Sequence, residues 1–276
     1  MLFIRQVPFV SSISSYHEAS NLVTSSNRDS SANTIVVYGS TGLVGKAVCV
    51  EAQRNGCQVI GLSRTRSKAC SESIEIDFLD YEHLAKTAQE LIGRENIPDA
   101  FVFCHRSRIS SHLSEADALL QSTAIDIYPY LALKEALKKT DRKGSLNIVT
   151  VTSNAAFRFA QDVNYMYHIT KHAQVAASFG LSSAPTSLNV YSNVVSFGEV
   201  IDNSKQDHDL FHRQLFTTLS RCSSDRPVPS IENVAKVAVM LCKASSFGFS
   251  GQTLVIDSGL SNITQESVVR LLTSCP

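Results

Sequence analysis

From Thr34 onward the chain alternates short apolar, β-branched runs with longer stretches of helical period, and this rhythm restricts the fold more than any other feature. The runs fall at 34–38 (TIVVY), 58–62 (QVIGL), 74–77 (IEID), 100–104 (AFVFC), 146–152 (LNIVTVT), 188–194 (LNVYSNV) and 253–257 (TLVID). Helical segments are read at 43–54, 80–93, 115–139, 164–180 and 231–243, with a shorter one around 206–220 and a last one at 263–273. Strands apolar on both faces and separated by helices predict an α/β domain whose parallel sheet is covered by helices on each side. A chain of 276 residues, 43% of them hydrophobic, is long enough to bury one such core.

Residues 1–33 lie outside the rhythm. After MLFIRQVPFV comes a serine-rich stretch poor in large apolar side chains, which reads as a flexible extension ahead of a domain spanning 34–276. Two alternatives stand beside that reading. The first ten residues could add an edge strand, or Arg5 and the serines, with no acid before Glu18, could form an organelle leader. Lys+Arg and Asp+Glu both total 25, so no global field draws the chain to nucleic acid or to an anionic membrane. No run approaches the roughly 18 to 20 apolar residues of a membrane span. The seven cysteines contain no C-x-x-C pair and read as reduced thiols of an intracellular, cytoplasmic protein.

Between the first strand and the first helix stands GSTGLVG, with Gly39, Gly42 and Gly45 at three-residue intervals. Gly39 permits a tight turn, Gly42 lets backbone approach a pyrophosphate, and Gly45 lets the helix lie close to the strand. The N–H groups at the helix start then face the phosphates. The alternative is a plain strand-turn-helix connection. At the end of the second strand, where a carboxylate would select NAD, the chain has Ser63 and Arg64, with Arg66 and Lys68 behind and no acid before Glu72. A guanidinium can clamp a 2′-phosphate, so the cofactor is predicted to be NADP(H). A solvated basic loop is the other reading.

Ser153 follows the fifth strand, and fourteen residues later Tyr167 and Lys171 sit four apart, on one helix face. A cation beside a phenol favours the tyrosinate and pulls its pKa down from about 10. Such a phenol can give a proton to a carbonyl oxygen as hydride reaches the carbon, with Ser153 bonding the same oxygen. Tyr130 and Lys134 share the spacing but lack the strand-end serine. They are read as a packing tyrosine and a snorkelling lysine.

With these residues in place the chain resembles the short-chain dehydrogenase/reductase family over roughly 34–262, in its 3-oxoacyl-carrier-protein reductase-like group. The resemblance rests on GSTGLVG, Asp77, Ser153, the Y-x-x-x-K at 167–171, NVVSFGEV and SGQTLVIDSGLS. It implies a single-domain Rossmann fold with a doubly wound seven-stranded sheet, a small carbonyl or alcohol substrate, and a homo-oligomer, a dimer or tetramer. By the same resemblance Gly39, Ser40, Thr41, Gly42, Leu43 and Val44 cradle the cofactor phosphates, while Ser63 and Arg64 meet the adenosine ribose. Asp77 and Phe78 lie near the adenine, Cys104 beside the cofactor, Tyr167 and Lys171 at the nicotinamide ribose, and Val200 near the carboxamide.

The chain departs from the family at three places. Where N-N-A-G is usual after the fourth strand it reads Cys104-His105-Arg106, the helix asparagine of the proton relay becomes Asp126, and a loop proline becomes Phe197. Asp126 could serve the relay through its backbone carbonyl. The expected activity is an NADP(H)-dependent ketoreductase, with a non-catalytic nucleotide binder or a lyase or isomerase as alternatives. His168/His172 and His208/His212 have a zinc-compatible spacing but lack a zinc-protease glutamate, so no metal is expected. Residues 199–230 break the rhythm at the sheet's carboxyl edge and read either as a lid or as a surface helix packed on the sheet.

Overall fold

Strand pairing in the computed structural model, which describes residues 33–108, 112–159, 163–198 and 229–259, follows the βα alternation closely. The strands are β1 Thr34–Tyr38, β2 Gln58–Ser63, β3 Glu72–Glu75, β4 Ala100–Phe103, β5 Gly144–Ser153, β6 Leu188–Phe197 and β7 Thr253–Ile256. They form one sheet in the order β3-β2-β1-β4-β5-β6-β7, with every pair parallel. The helices are α1 Leu43–Arg54, α2 Tyr81–Gly93, α3 Glu115–Lys139, α4 Tyr165–Ser182 and α5 Ile231–Leu241.

Alternate residues of β1 face opposite cores. Val36 and Tyr38 pack with Leu84 and Leu91 of α2 and Leu133 and Leu137 of α3. Ile35 and Val37 pack instead with Val48 and Cys49 of α1 and Val234 and Ala238 of α5. A strand buried on both faces must be apolar at every position, which is why TIVVY shows no polar alternation.

Side chains close the helix ends. Asp80 accepts from the His83 N–H at 3.0 Å, and Ser230 with Asn233 forms a reciprocal capping box at α5. Glu115 and Asp117 at the start of α3 and Lys138 and Lys139 at its end oppose the helix dipole.

β3 lies two residues earlier than the apolar IEID reading. Its partner β2 sets the register, Ile60 to Glu72 through Ser63 to Glu75. As an edge strand it tolerates the glutamates that a sequence pattern reads as loop. β6 runs to Phe197 because β5 pairs with it over ten residues. The expected helices at 206–220 and 263–273, Val200, nearly all of the proposed insert, and all but Asn33 of the N-terminal extension lie outside the described residues.

Candidate active site

The carboxyl ends of β1, β4 and β5 lie side by side, so the glycine-rich turn, the Cys104–Ser107 loop and Ser153 share one edge of the sheet. Gly39 has φ +82°, and a Cβ there would stand 2.7 Å from the His105 Cα. A Cβ on Gly45 would run into the Gly39 carbonyl oxygen. Only glycine satisfies either position. Gly42 is the N-cap of α1 and supplies no side-chain cap, the first turn holds no acid, and Leu43 is exposed. Such a helix start leaves donors open to an anion. The expected roles of the three glycines therefore have a geometry that suits a dinucleotide.

Beneath this turn Ser40 and Ser63 are buried and joined hydroxyl to hydroxyl at 3.0 Å, and Ser63 donates to the Thr65 carbonyl at 2.7 Å. These serines tie the glycine turn to the end of β2. Arg66 Nε meets Glu75 Oε1 at 2.9 Å, so a carboxylate from β3 engages the second arginine of the basic loop. Arg64 is exposed and has no ion-pair partner among the described residues. Asp77 is exposed and caps the Leu79 N–H at 3.0 Å. Phe78 is buried in the core, edge-on to His105 with ring centroids 5.1 Å apart.

Ser153 ends β5, and its Oγ accepts from the Ala155 N–H at 3.2 Å. Tyr167 lies in the first turn of α4, which Asn164 caps by accepting from the Met166 N–H at 2.9 Å. Ser153 and the Arg106 guanidinium lie beside the Tyr167 phenol, and each favours its ionised form. Lys171 lies one turn on, with Nζ 5.3 Å from the Tyr167 ring centroid. The structure thus brings Ser153, Tyr167 and Lys171 together as the sequence predicts.

Their electrostatics differ from the expectation. Burial is the largest influence on Tyr167 and lifts its pKa above the ordinary phenol value; Ser153 and Arg106 oppose the rise and Asp126 reinforces it. Lys171, only 3% exposed, is itself lowered by burial, with Asp126 opposing. Its ammonium donates to Gln174 Oε1 at 2.9 Å and lies 3.7 Å from Asp126 Oδ2. The cation that pulls the phenol down is Arg106, while the lysine charge is engaged by Asp126 and Gln174.

Asp126 is fully buried and accepts from the Ser107 N–H at 2.8 Å and the Ser107 hydroxyl at 3.2 Å. Its backbone carbonyl accepts from His105 Nε2 at 3.2 Å, so the imidazole carries its proton there. His105 Nδ1 is buried without a partner, and burial lowers the histidine to about 4. The residues on either side of Arg106 are thereby fastened to Asp126, which holds the arginine backbone beside the glycine turn. Gln174 completes the frame by donating to the His105 carbonyl at 3.3 Å. Sequence reasoning missed Gln174, although its place three residues after Lys171 on the same helix face was a usable signal.

Cys104 is half-buried, and Phe197, also half-buried, pairs in register with Ser153. His168 Nδ1 and His172 Nδ1 bond the carbonyls of Ala155 and His168 at 2.8 and 2.9 Å, so each imidazole has a backbone partner. The other expected pair, His208 and His212, lies outside the described residues.

Residues 43–261 match the family model described as enoyl-(acyl carrier protein) reductase. No match is found among curated protein sequences. Among solved structures the chain is similar to a Beutenbergia cavernae protein named as an NAD(P)-dependent gluconate 5-dehydrogenase, with NADP bound at low occupancy. The identity is 21%, covering 84% of this chain and 97% of that one, with a TM-score of 0.67. Thermoplasma acidophilum aldohexose dehydrogenase gives 17% identity over 85% and 96% of the two chains and a TM-score of 0.66. A Leptospira borgpetersenii short-chain dehydrogenase with bound NAD+ gives 17% over 83% and 93%, at 0.62. At these identities the likeness establishes the fold.

Proposed function

Because the chain belongs to the short-chain dehydrogenase/reductase family, we propose that it is an NADP(H)-dependent oxidoreductase acting on a carbonyl/alcohol pair, with Tyr167 as its acid/base. The observation that carries this reading is the Tyr167 phenol at the sheet's carboxyl edge, beside Ser153 and Arg106 with Lys171 one turn behind.

The turn at Gly39, Gly42 and the start of α1 would hold the cofactor pyrophosphate, Arg64 its 2′-phosphate and Lys171 its nicotinamide ribose. When bound, the nicotinamide supplies or accepts the hydride. Ser153 bonds the substrate oxygen and sets it against the phenol. Tyr167, raised by burial, stays protonated at neutral pH and gives that proton to the oxygen, which suits the reductive direction. The rate of reduction therefore stays level with rising pH until the phenol ionises above its ordinary value near 10, and then falls.

A second reading, nucleotide binding without hydride transfer, is favoured by Arg106, which stands where the family keeps glycine beside the cofactor. Purified protein separates the two. The proposal expects NADPH to bind at least tenfold more tightly than NADH, Arg64→Ala to remove that preference, and NADPH to be oxidised with members of an aldehyde and ketone panel. Equal affinities discard the cofactor assignment, and tight binding with no oxidation across the panel favours the second reading.

A further inference from the structure

The site described above makes no use of two cysteines beneath it. Cys49 on α1 and Cys70 on the β2–β3 loop bring their sulfur atoms to 3.4 Å, sharing a hydrogen bond. Both are free thiols, Cys49 buried and Cys70 half-buried. Nothing but glycine fits at position 61 of β2, because a Cβ there would collide with the Cys70 sulfur and stand 2.7 Å from Ser40 Oγ. The two elements joined at this contact both belong to the cofactor cradle. α1 carries the open helix start, and the 64–71 loop carries Arg64 and is tied to the glycine turn through Ser67 Oγ, which donates to the Ser40 carbonyl at 3.3 Å.

We propose that Cys70 and Cys49 form an oxidative modification site that reacts with a hydroperoxide and closes to an intramolecular disulfide, fastening the β2–β3 loop to α1. The two thiols are unlike. The contact with Cys49, then the neighbouring Ser67 and Ser40, pull Cys70 down to about 6 against its desolvation, while Cys49 is pushed well above the ordinary thiol range. Cys70 is thus the more acidic and the more exposed of the two, and Cys49 is the thiol held 3.4 Å from it.

The Cys70 thiolate attacks the distal peroxide oxygen and the O–O bond breaks. Cys70 becomes a sulfenic acid and the other oxygen leaves as water once protonated. The Cys49 sulfur then attacks the sulfenic sulfur, the S–O bond breaks, and a second water leaves with the proton from Cys49. Two thiols and one hydrogen peroxide give one disulfide and two waters. The bond needs the sulfurs to close from 3.4 Å to about 2.05 Å, a movement within side-chain rotation. It draws Cys70 away from Ser40 and Ser67, which loosens the hydroxyl network under the glycine turn.

That last consequence rests on the dinucleotide reading, whereas disulfide closure does not. The test treats the full chain with hydrogen peroxide and maps its peptides by mass. The expected product is a linked peptide pair joining Cys49 to Cys70, with the loss of two hydrogen atoms. In Cys49→Ser the sulfenic acid at Cys70 persists and is captured by dimedone; in Cys70→Ser neither product forms. Cys104, whose thiol burial pushes well above the ordinary range, stays unlinked. Linkage of Cys49 to Cys104, or no linkage while other cysteines oxidise, overturns the proposal. Oxidised wild-type protein is expected to bind NADPH at least fivefold more weakly than reduced protein, with Cys49→Ser unchanged by the treatment before dimedone is added. An unchanged affinity overturns the coupling to the cradle. If the reduced protein binds no dinucleotide, the proposed function fails while the linked peptide still decides the thiol chemistry.

Discussion

Two helices of this protein carry a tyrosine four residues before a lysine, and the fold gives the two pairs opposite work. On α3, Tyr130 is buried, stacked on Phe103 with ring centroids 4.1 Å apart, and its hydroxyl meets Thr150 Oγ1 at 3.1 Å. On α4, Tyr167 is only partly covered and lies beside Ser153 and Arg106. The lysines invert the pattern. Lys134 is half-exposed, whereas Lys171 is buried against Asp126 and Gln174. A Y-x-x-x-K spacing sets two side chains on one helix face and nothing more. The sheet edge against which that face lies decides whether the phenol is structural or chemical.

The largest effect expected from this contrast is on turnover. Tyr167→Phe should lower kcat by about 10²–10⁴-fold with NADPH affinity unchanged, while Tyr130→Phe leaves kcat near wild type. Steady-state kinetics with cofactor titration measures both, and equal losses would erase the distinction.

Next comes the buried charge. Lys171→Met leaves the Asp126 carboxylate without its cation and should cost about 3–5 kcal/mol in urea unfolding. Pairing it with Asp126→Asn should return part of that loss, because the amide oxygen can still accept from the Ser107 N–H.

His105 links the site's frame to pH. Burial lowers its folded pKa to about 4, below the unfolded value near 6.5. The unfolded chain therefore binds the extra proton first, and stability falls as pH drops from about 6.5 to 4, by roughly 3 kcal/mol in all. Unfolding measured across that window should lose most of its slope in His105→Gln, which keeps a donor for the Asp126 carbonyl.

The smallest effects belong to α3. Tyr130→Phe deletes one buried hydrogen bond and should cost about 1 kcal/mol, and Lys134→Met should stay within about 0.5 kcal/mol.

Much of this was legible in the residues. The α1 range at 43–54 and the Asp80 cap follow from helical period and from side chains that bond their own backbone, which are local matters. The glycine turn was legible for the same reason, since a positive φ at Gly39 is written in the residue type. β3 was displaced because its bounds depend on a partner strand rather than on its own polarity. The engagement of Arg66 by Glu75 was hidden likewise, since a parallel register is not visible along one chain.

The sequence by itself determined the alternating elements, the seven runs that become one sheet, and the candidate triad of Ser153, Tyr167 and Lys171, because backbone preference and spacing act over a few residues. Only the tertiary structure decided which charge acts on which group. Asp126 took Lys171 and Ser107, Arg106 came to the phenol, and burial lifted Tyr167 where spacing alone predicted a fall. Desolvation and Coulomb interactions depend on how completely water is excluded and on distances between residues far apart in the chain, and neither exists until the sheet and its helices have packed.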